Sequence, residues 1–260
     1  MKKLRLRMGT AAGIAGLLLS LSGCATLSNA LNQMNNELST GLSNAMTSPK
    51  LNFYVLYAIT GVFAAYSPQG ATYKQGQGTV WKITDTNGGT TNTSTIERAL
   101  LKKDSDGTEW WRLSVTSSDG NFLYEYLVEP DQTIDKVRYK DPDTGKIEEF
   151  VPDKSKEQQS QQQQPPAQAS GTGSNGSSSN GDQVTVKKDR QTITVEAGTF
   201  NTEHVTYVDK TANYRDESWT SNEVPGGLVK YVDTNTETND VNKGELTKVE
   251  SGIGTVLNSF

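Results

Sequence analysis

Acid–base or nucleophilic chemistry in this chain would have to pass through one histidine, His204, and one cysteine, Cys24, because the 260 residues contain no others. A Ser-His-Asp triad or a Cys-His pair needs a nucleophile held within reach of the imidazole, and no nucleophile elbow or free thiol stands in the sequence. His204 therefore reads as a hydrogen-bonded strand histidine. Asp104, Asp106, Asp141 and Asp143 offer oxygen ligands for calcium, yet neither run reaches a distal glutamate at EF-hand spacing, and both read as hairpin turns. Nothing among the 30 acidic residues singles out a glycosidase-like pair. The expectation is a protein that is not an enzyme, with no metal and no cofactor.

The chemistry that the sequence does specify belongs to Cys24. Lys2, Lys3, Arg5 and Arg7 precede an apolar segment from Ala11 to Leu21, the charged region and short apolar region of an export signal. Eleven residues are too few to span a bilayer, which takes about 20. Leu21-Ser22-Gly23-Cys24 resembles the bacterial lipobox, in which the thiol receives a diacylglyceryl group, residues 1–23 are removed and the new amino terminus is acylated. A lone cysteine in an exported chain has no intramolecular partner, and conversion to a thioether accounts for it. Each buried methylene contributes about 0.8 kcal/mol, so three acyl chains would hold the protein permanently on a membrane. By resemblance to lipoproteins of diderm bacteria, Ala25 after the cysteine directs the protein to the outer membrane.

Loss of the 23-residue signal and its four positive charges leaves 237 residues and shifts the formal charge from -5 to -9. An acidic chain argues against a nucleic-acid partner and against a second, electrostatic grip on anionic lipid. Only 33% of the chain is hydrophobic, but four tryptophans and ten tyrosines can bury large areas.

The elements that must position these residues follow in order. Residues 24–50 are nearly uncharged, and Leu27, Leu31, Met34, Leu38, Leu42 and Ala45 recur at steps of three and four, the period of a helix. Its polar face lacks the Lys and Arg of interfacial helices, so it reads as a tether or spacer ending at Pro49. Leu51 to Tyr66 is the most apolar stretch after the signal and reads as a core helix. From Gly78 to Pro152 the period becomes two: Trp81 and Ile83; Trp111, Leu113 and Val115; Phe122, Tyr124, Tyr126 and Val128. Asn87-Gly88, Asp106-Gly107, Asp119-Gly120 and Asp141 to Gly145 separate the runs as tight turns. That is an antiparallel meander with one wet and one packed face. Lys154 to Gly181, rich in Gln, Pro, Gly and Ser without one large apolar side chain, cannot offset its ordering entropy and is expected to be disordered. Alternation resumes at Val184 and Val186, then Ile193 and Val195; Gly198 marks a bulge or bend; Val205, Tyr207 and Trp219 follow; Val224-Pro225-Gly226-Gly227 fits a type II turn. Leu228 to Tyr231 forms a further strand and Leu246 to Val249 closes the sheet. About five strands after the linker are thin for a separate core. Residues 51–260 therefore read as one β-rich domain interrupted by residues 154–181.

Ala197-Gly198-Thr199-Phe200, the strand through His204 and Tyr207, Trp219-Thr220-Ser221 and Val224 to Tyr231 resemble a pattern in uncharacterised exported bacterial proteins similar to Lol-type lipoprotein carriers. The resemblance implies a curved antiparallel sheet, a half-barrel, with one or two helices near the N-terminus plugging its concave side, and it brings no catalytic residues. Phe53, Val55, Phe63, Trp81, Trp110, Trp111 and Trp219 are then the candidate apolar ligand surface. Adjacent Trp110 and Trp111 must point to opposite faces of a strand, one packing in the core while the other lines a concave apolar surface or lies under the inserted linker. The functional expectation is a lipid-anchored envelope protein that binds or interacts without catalysis, its partners the membrane through acylated Cys24 and a lipid or another envelope protein. A carrier of lipids or acylated proteins is the alternative.

Overall fold

The computed structural model describes Lys50, Phe53 and residues 72–118, 120–141, 144–152 and 184–260. Eleven strands lie among them: β1 Gln77–Asn87, β2 Thr90–Lys103, β3 Glu109–Ser117, β4 Gly120–Val128, β5 Ile134–Lys140, β6 Ile147–Phe150, β7 Val184–Val195, β8 Gly198–Asp209, β9 Tyr214–Thr220, β10 Leu228–Asn235 and β11 Val241–Glu250. All pair antiparallel in one sheet ordered β6-β5-β4-β3-β2-β1-β11-β10-β9-β8-β7. Every neighbour in sequence is a neighbour in space except β6 and β7, the two edges. β1 pairs with β11 over Gly78 to Thr86, which joins the strands before residues 154–181 to those after them.

Turn residues account for much of this path. Gly88 and Gly89 take φ of 54° and 80°, Gly107 takes 93°, and Gly145 takes 68°, left-handed conformations that a side chain disfavours. Gly227 N–H donates to Val224 O at 2.9 Å with Gly226 at φ 75°, the type II geometry expected from Val224-Pro225-Gly226-Gly227. Gly198 falls in the tight turn between β7 and β8, where Val195 pairs with it, rather than at a bulge. Three turns carry no glycine: Gln132, Asn213 and Asn239 adopt φ 69°, 51° and 59° between β4 and β5, β8 and β9, and β10 and β11, and in the first Asp131 Oδ1 accepts from Thr133 N–H and Oγ–H.

The sheet is curved and not closed. Ala197, at the tip of the β7–β8 hairpin, donates its N–H to Leu246 O in β11 at 3.3 Å, although β9 and β10 lie between. The main core occupies one face, where in-register rows of alternating residues meet. Trp81 faces Ile96 and Leu246, and Trp111, Tyr126, Val137 and Phe150 form a row across β3 to β6. Ile193, Val195, Ala197 and Phe200 of the returning hairpin pack against the same core. Gly244 leaves the space that Tyr231 fills, since a Cβ there would lie 2.1 Å from the ring. The edges are blunted in different ways: β6 has four residues, and β7 carries exposed Lys187, Lys188 and Arg190, charges that discourage pairing with another chain.

Lys50 and Phe53 are helical. The remainder of the two helices expected near the N-terminus, the signal with Cys24 and the linker 154–181 lie outside the described residues.

Candidate functional site

The seven apolar candidates do not form one surface. Phe53, Trp81 and Trp111 share the main core. Trp110 lies in a second cluster on the opposite face with Ala99, Leu101, Leu127 and Ile253. Trp219 also sits on that opposite face, because its cross-strand neighbour Lys230 pairs in turn with Glu245, and Glu245 with Lys82, next to inward Trp81. Val55 and Phe63 are outside the described residues.

On the concave face Phe53 is 0% exposed. Its ring meets Tyr124, Tyr126 and Phe150 edge-on, with centroids 5.3, 5.5 and 5.8 Å apart, the geometry that aromatic quadrupoles favour. Trp111 is also buried. Tyr73 meets it edge-on at 5.1 Å, the Arg98 guanidinium lies 4.3 Å from its ring centre, and its indole N–H donates to Glu109 at 3.0 Å. The phenol of Tyr73 is pushed above its ordinary pKa by burial, against the opposing effects of Arg98 and the bond to Thr79. These side chains cover one another, leaving the aromatic face occupied by the protein itself.

Further along the same face, a polar row crosses the sheet at Asp85, Asn242, Asp233 and Asp216. Asp216 and Asp233 are both buried, and Asp233 accepts a hydrogen bond from Tyr214 at 2.7 Å. Burial first, and the adjacent Asp216 carboxyl second, push Asp233 up to about 9, so the pair holds one proton at neutral pH. Two touching carboxyls out of water cannot both ionise cheaply. Binding that proton only when folded makes the fold lose stability as pH rises from the ordinary carboxylate range toward 9. Asp233→Asn can still accept from Tyr214 and donate to Asp216. It should raise the melting temperature at pH 8 by several degrees, with the gain shrinking toward pH 5; differential scanning calorimetry at both values checks this. Among the described residues no group of three or more His, Cys, Asp or Glu side chains is placed to hold a metal.

His204 is buried on the other face. Its ring stacks on Trp219 at 4.5 Å and 14°, Nδ1 lies 2.7 Å from Asp189 Oδ1, and Nε2 is 3.4 Å from Thr206 Oγ1 and 3.5 Å from Glu217. Carboxylate, imidazole and hydroxyl thus occur in triad order. The hydroxyl is distant, two residues along the same strand, and the covered imidazole serves instead to pin Gln191, whose Oε1 accepts from the Trp219 indole at 2.9 Å. Beside this network is a cleft of about 540 Å³ whose lining includes Arg190, Gln191, Asn201, Glu203, Thr220 and Ser221. A wall of amides, hydroxyls and an opposed charge pair does not suit an acyl chain.

Residues 251–260, beyond the last strand that the alternation marks, cover the outer face of β2 to β5. Glu125 is 0% exposed and accepts from Thr255 Oγ–H, Ser259 Oγ–H and, at 2.8 Å, Val256 N–H. Arg112 Nη2 reaches Glu125 at 3.2 Å and also Gly254 O, while Nη1 lies 3.4 Å from Glu97. Burial alone would raise the Glu125 pKa, but the bonds from Ser259, Thr255, Val256 and Arg112 outweigh it and hold the carboxyl below its usual range. The alternation that assigns Arg112 and Glu125 to a wet face is correct about direction. What it misses is the segment that removes the water.

Comparison with known proteins found no matching family model and no matching curated protein. Among solved structures, a protein classed as exported with a YmcC-like fold, from Bacteroides fragilis, is 9% identical with a TM-score of 0.32, the match covering 69% of this chain and 98% of the other. The Pseudomonas aeruginosa MucA/MucB complex is 13% identical with a TM-score of 0.37, covering 76% and 61%. A domain classed with outer membrane lipoprotein-sorting proteins, from Vibrio parahaemolyticus, is 9% identical with a TM-score of 0.31, covering 73% and 92%.

Proposed function

We propose that this chain is a lipid-anchored, non-enzymatic protein of the bacterial envelope that acts as an interaction module through the surface of its curved sheet. The observation that carries this reading is Phe53, fully buried among Tyr124, Tyr126 and Phe150. Apolar surface already covered from within is not available to a ligand, so an acyl chain would have to displace part of the core and bind with an affinity reduced by the population of the opened state. The anchor is the acylated Cys24 after removal of residues 1–23, and the resemblance of Ala25 to the residue after the cysteine in diderm lipoproteins supports the outer membrane. Titration of the chain from residue 25 onward with a fluorescent fatty acid should show no saturable binding; a 1:1 isotherm would favour the carrier.

The anchor has its own test. A serine hydroxyl cannot replace the thiol in diacylglyceryl transfer, so Cys24→Ser should abolish incorporation of radiolabelled palmitate and leave the signal uncleaved. Incorporation equal to the unaltered protein would remove the anchor assignment.

A further inference from the structure

We propose that residues 253–260 form an exchangeable strap and that the outer face of β2 to β5 is a docking surface for the same strap of a second copy of this chain. The proposal deepens the interaction-module reading and rests on it, since it names the surface and the partner. Beyond the bonds to Glu125 and Arg112 described above, the strap is held by Arg138 donating to Asn258 O, by Ile253 N–H donating to Gly76 O, and by the Phe260 ring 6.1 Å from Trp110 with Lys102 5.3 Å above it. Leu257 is buried, and Ile253 packs against the cluster of Ala99, Leu101 and Trp110.

Two properties make this seat exchangeable. The groove depends on an occupant: without the strap, Glu125 would lose three of its hydrogen-bond donors, and Arg112 and Arg138 would lose carbonyl acceptors. A buried charge stripped of partners is costly. The hinge, by contrast, buries no side chain. Ser251 is exposed, Gly252 holds φ 74°, and a Cβ at Gly252 or Gly254 would meet no atom within 4 Å. The segment with demonstrated complementarity to the groove is the strap itself. A second copy supplies an identical one, so a reciprocal exchange keeps every contact and builds a two-fold dimer. In solution the tethered strap acts at roughly millimolar effective concentration, which favours the closed monomer when dilute. Crowding on a membrane surface favours exchange.

The test uses full chains from residue 25. Thr255→Asp with Ser259→Asp repels the strap from Glu125 but leaves the groove; Arg112→Leu with Glu125→Leu removes the charges of the groove but leaves the strap. Mixed at equal concentration, the two should give a 1:1 heterodimer by light scattering, with each alone monomeric. Should either variant fail to fold, deletion of Ser251 and Gly252 keeps groove and strap intact while shortening the reach in cis, and should convert the monomer to a dimer. Folded proteins that remain monomeric would overturn the exchange. Lipid content measured on the same samples separates the two readings: bound acyl chains would defeat the interaction module, whereas lipid-free monomers would defeat the strap alone.

Discussion

Arg112→Leu should cost the fold about 3–5 kcal/mol, the usual penalty for removing one member of a buried ion pair. Glu125 would keep its bonds from Thr255, Val256 and Ser259 but lose its cationic partner. The loss should appear in urea denaturation followed by tryptophan fluorescence as a lower midpoint with an unchanged slope. Its pH dependence identifies the cause. Glu125 has a folded pKa below its ordinary value of 4.5, so the stability it contributes is present above that value and lost as pH falls through the folded pKa. The gap between variant and unaltered protein should therefore narrow in acid. Adding Glu125→Leu to Arg112→Leu should recover part of the loss, because well-packed apolar replacements of a buried pair are often tolerated. A variant as stable as the unaltered protein at neutral pH would show that the pair is not desolvated.

Phe53→Ala should be nearly as damaging, about 3–5 kcal/mol for deleting a buried aromatic ring. Phe53 is distant in sequence from the strands that enclose it, and its contacts with Tyr124, Tyr126 and Phe150 fasten it to the sheet. Calorimetry should register a single, lowered transition. The truncated protein, if still folded at low temperature, should not acquire fatty-acid binding, because the surrounding rings collapse toward one another rather than preserve an acyl-sized channel. Binding that appears only in Phe53→Ala would identify residue 53 as a displaceable plug and restore the carrier.

Strand geometry was legible where alternation and turn chemistry agreed. Trp111-Leu113-Val115 and Phe122-Tyr124-Tyr126-Val128 run inward on β3 and β4 with Glu109 to Ser117 paired in register to Gly120 to Val128, and five strands follow residue 183 as expected. β2 was not legible. Its second half, Ile96 followed by the good helix formers Glu97-Arg98-Ala99-Leu100-Leu101, is held extended by pairing with both β1 and β3. β5 hid in the same way, with Asp135, Lys136 and Arg138 between its inward residues and a turn at Gln132 that lacks the usual glycine. The opposite directions of Trp110 and Trp111 follow from period two alone. That Trp110 is covered by Ile253 and Phe260 does not, because the strap pairs with no strand and leaves no periodic trace. Asp216 and Asp233 likewise look like solvent-facing strand acids, yet both are buried.

The concave face around Phe53, filled by the side chains of Tyr124, Tyr126 and Phe150, should carry no lipid. Mass spectrometry of lipids extracted from the purified chain beginning at Ala25, which leaves out Cys24 and with it the proposed acyl groups, tests it most directly. The account predicts no lipid or acylated peptide above a few per cent of the protein on a molar basis, with intact Phe53 packing seen as ring contacts in its NMR spectrum. One mole of a defined acyl-bearing molecule per mole of protein would contradict it.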